Sequence, residues 1–134
     1  MTQKQILQPA SWTLPRGYAN GVAATGRQVY VAGQIGWNER CEFDSDDFVD
    51  QVRQALSNIR AVLAEAGAAP EHIVRMTWYL IDKREYIARG REVGQAYRDV
   101  LGRDYGIAMS AVQVSGLMED RAKVEIEVTA VVPR

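Results

Sequence analysis

One cysteine and one histidine in 134 residues leave this chain without the means for two common kinds of site. Cys41 alone cannot close an internal disulfide, and with His72 as the single imidazole there is no Cys/His set of the kind that holds zinc. An excess of one charge is also missing: 16 Lys and Arg against 17 Asp and Glu give a net charge of −1. No overall positive field exists to release counterions from a phosphate backbone, so nucleic acid is a poor first guess as a partner. No apolar run approaches the ~20 residues of a membrane span. The opening residues Met1 to Leu7 are too polar for a secretory signal. A reducing cytoplasm is the expected setting, with no metal and no other cofactor.

What is present is the balance of an ordinary globular chain, 47% hydrophobic and 25% charged. Its length suits one domain over residues 1–134, with a core burying roughly two-thirds of the unfolded surface. Neither repeats nor low-complexity segments interrupt it.

The pattern predicts a short strand around Gln5 to Gln8, a loop from Trp12 to Gly17, and a hairpin from Gly21–Thr25 through Gly26-Arg27 into Gln28–Ala32. Ser45-Asp46-Asp47 caps a helix whose apolar positions are Phe48, Val52, Ala55, Ile59, Val62 and Ala66, and Gly67 closes it. His72 to Asp82 alternates as a strand, with Val74, Met76, Trp78 and Leu80 on one side and Arg75, Thr77 and Tyr79 on the other. Asp82 caps a second helix that buries Tyr86, Val93, Tyr97, Val100 and Leu101 and stops at Gly102. Strands at about Ser110 to Leu117 and Ala122 to Val132 complete the chain, joined by a polar turn at Glu119-Asp120.

Two amphipathic helices and one sheet make a two-layer α+β sandwich with the helices on one face of the sheet. The other face stays open. It carries Glu125, Glu127, Thr129 and Val131 beside Gln28, Tyr30, Arg75, Thr77 and Tyr79, a mixture that suits water or another subunit.

Several short stretches, in this order, resemble one family: Gly17-Tyr18-Ala19-Asn20, Ala32-Gly33-Gln34-Ile35, Gln54-Ala55-Leu56-Ser57-Asn58-Ile59 with Ala66-Gly67, and Val124-Glu125-Ile126-Glu127. Together they span nearly the whole chain and are similar to the RidA family, also called YjgF, UK114 or L-PSP. Each motif alone is weak. The resemblance implies a YjgF-like, chorismate-mutase-like sandwich with a mixed sheet, assembled as a homotrimer with small-molecule clefts between subunits. It implies hydrolysis of a carboxylate-bearing enamine or imine to a keto acid and ammonia, without metal or organic cofactor.

In deaminating members of that family a Pro-Ala-Arg-Ser run holds the substrate carboxylate through the arginine fork. The corresponding run here is Ile107-Ala108-Met109-Ser110. A thioether carries no charge and accepts hydrogen bonds weakly, so Met109 cannot replace that grip, and each lost charge-assisted contact costs ~1.5–3 kcal/mol. The resemblance also implies a second helix lengthened near Arg89-Gly90-Arg91, and Gly94 in place of a family asparagine.

Glu125 matches the cleft glutamate that positions water and shuttles protons; its structural alternative is an interface carboxylate paired with Arg75. Glu127, on the same face, is placed to raise the Glu125 pKa by like-charge repulsion. Tyr18 matches the cleft tyrosine, with plain packing as its alternative. Gly33 either admits a ligand close to the backbone or marks a bulge. Met109, Ser110 and Trp37 are candidates for substrate contact, Trp37 as a lid, whereas Trp78 reads as core. Arg89 and Arg91 are candidate replacement anchors for a carboxylate, as are Arg16 and Arg103; solvated surface charge is the alternative for each. Cys41 has no adjacent base and reads as incidental, and His72 as structural.

Two functions from different classes follow. One is a cytosolic deaminase for an enamine or imine larger or more apolar than the usual ones, of the 2-aminomuconate kind. The other is a noncatalytic trimer that binds a small metabolite or supports a partner enzyme. Ribonuclease activity, a third function attached to the family, finds no basic and aromatic platform here.

Overall fold

The computed structural model describes residues 4–134, so Met1, Thr2 and Gln3 of the polar opening lie outside the described residues. Six strands are formed, β1 (Lys4–Leu7), β2 (Gly21–Ala24), β3 (Arg27–Ile35), β4 (Ile73–Leu80), β5 (Ala108–Gln113) and β6 (Val124–Val132). The helices are α1 (Phe48–Glu65), α2 (Lys83–Ala88) and α3 (Gly90–Leu101), with a short 3-10 turn at Pro70–His72. All three helices pack on one mixed sheet of order β3-β6-β4-β5, the α+β sandwich that the periodicity predicts. Within this sheet the β4–β5 pair is parallel and the others antiparallel, because α2 and α3 provide the crossover between β4 and β5.

Strand alternation sorts the two faces. Val124, Ile126, Val128 and Ala130 of β6 are buried under the helices with Ile73, Met76, Trp78 and Leu80 of β4. From α1, Phe48, Val52, Ala55, Leu56, Ile59 and Leu63 close the same core. Removing any one of the large side chains from such packing costs ~2–5 kcal/mol. Gln51 is the polar exception. It is 1% exposed, donates to the Ser45 and Arg121 carbonyls and accepts from Lys123 N–H, which ties α1 to the segment before β6.

The structure corrects the sequence expectations in four places. First, β2 and β3 do not form a hairpin: β2 pairs with β1 (Leu7 opposite Gly21), and β3 pairs with β6 (Arg27 opposite Val132). Gly26 has φ +152° and passes so close to the Val132 carbonyl that no Cβ would fit, which redirects the chain to a new partner. Second, the second helix is two segments. Arg89, at φ −104° and ψ 25°, ends α2 and begins α3. Third, Ile73 and not Val74 joins the core, because the β4–β6 register shifts between Ile73 and Arg75. Fourth, Val62 is 41% exposed and Leu63 fills the core position in its place.

The caps follow the sequence closely. Asp47 accepts from Asp50 N–H at the start of α1 and Asp82 from Arg84 N–H at the start of α2, while Gly67 and Gly102, both at positive φ, follow the ends of α1 and α3.

Candidate active site

The glutamate of the terminal strand stands on the open face where β3 is irregular. Ile35 lies opposite Glu125 and Gln34 opposite Ile126, but the register shifts between Val31 and Gln34, so Gly33 sits in a bulge. The Glu125 carboxylate rests against Gly33: a Cβ there would overlap the carboxyl group itself. The bulge reading of Gly33 therefore holds, and the bulge is what brings backbone and carboxylate together. Its φ is not positive, so space rather than conformation demands glycine. Asn58 of α1 steadies the end of β3 by donating to the Ile35 and Trp37 carbonyls.

Across the β4–β6 ladder, Tyr79 faces Glu125 and Thr77 faces Glu127. The Tyr79 hydroxyl donates to Glu127 Oε1 at 2.6 Å. That hydrogen bond raises the Tyr79 pKa, with the Glu125 charge adding to the effect. Arg75 lies opposite Thr129, two ladder positions beyond Glu127 in the direction away from Glu125. No ion pair joins Arg75 to Glu125 among the described residues, so within one copy the alternative reading of Glu125 as a carboxylate paired with Arg75 has no contact behind it. Alongside runs a depression of about 470 Å³ walled by Tyr30, Arg75, Thr77, Glu127 and Thr129.

Met109 occupies the other side. It lies opposite the buried Met76, packs against the core and lines a second cavity of about 220 Å³ with Trp78, Tyr86, Gly94 and Tyr97. Ser110, one residue on, lies opposite Thr77 and is exposed on the open face. β4 separates β5 from β6 in the sheet, so Met109 and Glu125 differ both in face and by two strands, ~10 Å of lateral distance. Within one chain they cannot touch the same small molecule.

Tyr18, 41% exposed, precedes Ala19, whose N–H donates to the Ile107 carbonyl and fixes this loop beside the start of β5. Gly17 of the same loop reaches the Met109 cavity. The loop thus joins the Met109 side rather than the Glu125 side of its own chain.

The arginines divide. Arg89 is held by Asp47 at 2.6 Å and by both oxygens of Glu92, at 3.2 and 2.7 Å. This contact depresses the pKa of both carboxyls and raises that of the guanidinium. Arg89 is therefore a clamp across the α2–α3 break, committed to its own carboxylates. Arg91 is exposed and makes no ion pair among the described residues. Arg16 is exposed, and Arg103 lies 4.9 Å from the centre of the Tyr105 ring.

Trp37 packs on Phe43 with ring centroids 6.0 Å apart and does not wall the Met109 cavity. Trp78 is core, as the strand pattern predicts, but it also forms a cavity wall. Cys41 is exposed, and His72 accepts from Ala69 N–H through Nδ1, a turn-closing contact. Sequence reasoning missed Tyr86, Tyr97 and Gly90 as cavity residues, because helix spacing marks them only as one face.

The fold is a small α+β sandwich with one sheet face uncovered, carrying Glu125 against the bulge of β3. Residues 13–132 match the family described as Endoribonuclease L-PSP, and the chain belongs to this family, the RidA and YjgF group. It is 33% identical to the RutC family protein slr0709 of Synechocystis, over 99% of each chain. To the 2-iminobutanoate/2-iminopropanoate deaminase of Dermatophagoides farinae it is 27% identical, over 98% of this chain and 99% of that one. Among solved structures, the Rid family protein YyfB of Yersinia pestis superposes with a TM-score of 0.85 at 28% identity, covering 98% of this chain and 100% of that one. TdcF of Escherichia coli with bound serine superposes with a TM-score of 0.68 at 31% identity, covering 96% and 98%.

Proposed function

We propose that this protein is a hydrolytic deaminase of reactive enamines or imines, with its site assembled between copies of the chain in a homotrimer. The observation that carries this reading is the Glu125 carboxylate, set against Gly33 on an open sheet face with no cation paired to it. A carboxylate in that position is free to take a proton from water as the water oxygen bonds to the carbon of the C=N group. The resulting carbinolamine then receives that proton on nitrogen and expels ammonia, leaving a carbonyl; one water enters, one ammonia leaves, and no electrons are exchanged. The deaminase and the serine-bound structure among the relatives support a small nitrogenous substrate.

The trimer supplies what one chain lacks. Glu125 and the loop of Tyr18 lie apart in a single copy, and a neighbouring copy laid against the open face would bring its own Tyr18 and Met109 side toward Glu125. Met109, Ser110 and Gly33 would then contact substrate together with Glu125. Met109 in the position of a carboxylate anchor favours a substrate other than the usual small ones, and the larger, extended and conjugated 2-aminomuconate is the example.

Ammonia and keto-acid release from freshly generated 2-iminobutyrate and from 2-aminomuconate tests the reading. Turnover by the native protein that Glu125→Gln abolishes is the expected result. Silence across the panel, with turnover gained by Met109→Arg, would instead support a noncatalytic metabolite-binding trimer.

A further inference from the structure

The cavity beside Met109 is apolar inside and has a cation at its border. Trp78, Tyr86, Ile87 and Met109 line a space of about 220 Å³ together with Gly90 and Gly94 of α3. Ile87 is 71% exposed, so the cavity opens to the surface beside α2. A Cβ at Gly90 would meet no atom within 4 Å, so α3 leaves room on this side.

Arg98 is the residue at the border. It follows Gly94 by four positions on α3, and a Cβ on Gly94 would lie 3.3 Å from its Nη1 and 4.0 Å from its Cζ. The side chain therefore runs back along the helix onto a glycine that walls the cavity, where a residue with a Cβ would crowd it. Its Nη2 donates to Gln95 Oε1 at 3.3 Å, and Gln95 is oriented by donating to Asp99 Oδ1 at 2.7 Å.

This guanidinium has no acid of its own. Arg40, Arg53, Arg89 and Arg121 each hold a carboxylate, whereas Arg98 makes no ion pair among the described residues. Asp99, the next residue, is engaged by Arg53 at 2.9 Å. Asp104, whose charge reaches Tyr97, also faces the charge of Lys4 and accepts from Gly106 N–H. With a neutral amide as its partner, Arg98 keeps donors for an acid from outside.

We propose that Arg98 is the carboxylate anchor of this cavity, which takes a carboxylic acid whose apolar part lies among Trp78, Tyr86 and Met109 while the carboxylate meets the guanidinium at the border. A dry apolar cavity of ~150 Å³ already holds benzene, so the volume suits an apolar part of about one ring. Trp78 and Tyr86, in an edge-on contact with centroids 5.8 Å apart, provide aromatic surface, and the Met109 thioether adapts to the outline of the ligand. Arg98 is exposed, so a carboxylate there keeps part of its water and pays little for the contact. From α3 the arginine fork then does what the Met109 thioether cannot do from β5. In taking the bound acid for the substrate the proposal rests on the deaminase reading, whereas the binding itself does not.

The test is an NMR titration of the full chain with methyl-labelled methionine, using phenylacetate, phenylacetamide and acetate as probes. Met109→Leu assigns the Met109 signal by its loss. Phenylacetate is expected to move that signal and to bind ~5-fold tighter than phenylacetamide and ~10-fold or more tighter than acetate. Arg98→Gln, at an exposed position, should weaken phenylacetate by ~5-fold and leave phenylacetamide unchanged. An unmoved Met109 signal, phenylacetamide or acetate binding as tightly as phenylacetate, or native affinity in Arg98→Gln would each overturn the proposal, as would a loss produced by Arg91→Gln in its place. Binding through Arg98 without turnover of any imine would sink the deaminase reading alone. Turnover by a protein whose Met109 signal phenylacetate leaves unmoved would sink this inference alone.

Discussion

The two faces of the sheet differ in what they ask of their residues. On the helix side the alternating positions are apolar almost without exception, and the one buried polar side chain of α1, Gln51, has its amide group bonded at both ends. On the open side the same strands carry Glu125, Glu127, Thr77, Tyr79 and Arg75, and the Glu125 carboxylate forms no ion pair among the described residues. The first face is organised for stability and the second keeps charge available. Met109 lies on the stable side of this divide and Glu125 on the available side, so under the proposed function specificity and chemistry would be separated within a chain and united between chains.

Substitutions can break that contrast in order of effect. Glu125→Gln should lower kcat by ~10²–10⁴ while leaving thermal stability near native, measured by ammonia release and by calorimetry. Gly33→Ala should cost on the order of 10²-fold in kcat by displacing the Glu125 carboxylate, with a comparatively small stability change; an equal loss of both would reduce Gly33 to a bulge residue. Gln51→Leu should do the opposite, lowering stability by about 2–4 kcal/mol in chemical denaturation through the orphaned Lys123 N–H and two carbonyls, with little change in kcat.

The smallest effect belongs to the clamp at the α2–α3 break. Asp47 and Glu92 have pKa values held below 3.8 and 4.5, their ordinary values, by hydrogen bonds from Arg89. Their folded values are depressed, so the stabilisation is fully present above those ordinary values and disappears as pH falls through the folded ones. The stability difference between native protein and Arg89→Leu should therefore shrink as pH falls below about 4.5 and through the depressed folded values, as followed by thermal unfolding.

The same contrast explains what the sequence could tell. Period-two alternation on β4 and β6 sorted their faces, and the caps at Asp47 and Asp82 and the stops at Gly67 and Gly102 follow from local chemistry alone. Contacts between distant segments were not legible. The pairing of β3 with β6 in place of β2 depends on Gly26 meeting Val132, more than a hundred residues away. The division of the second helix rests on Arg89 reaching Asp47 across 42 positions. Of the candidate site, Glu125 and Gly33 were visible as motifs, and the structure adds their contact. The cavity beside Met109 was hidden, because Tyr86 and Tyr97 read only as one face of a helix until that helix is packed against β4.

The most direct measurement is ammonia release from freshly generated 2-iminobutyrate and 2-aminomuconate by native protein and by Glu125→Gln of the same oligomeric state. The account predicts turnover of at least one of these substrates by the native chain, more for the conjugated one, and its loss in the variant. Equal rates for the two proteins, or ammonia from neither substrate, would contradict it.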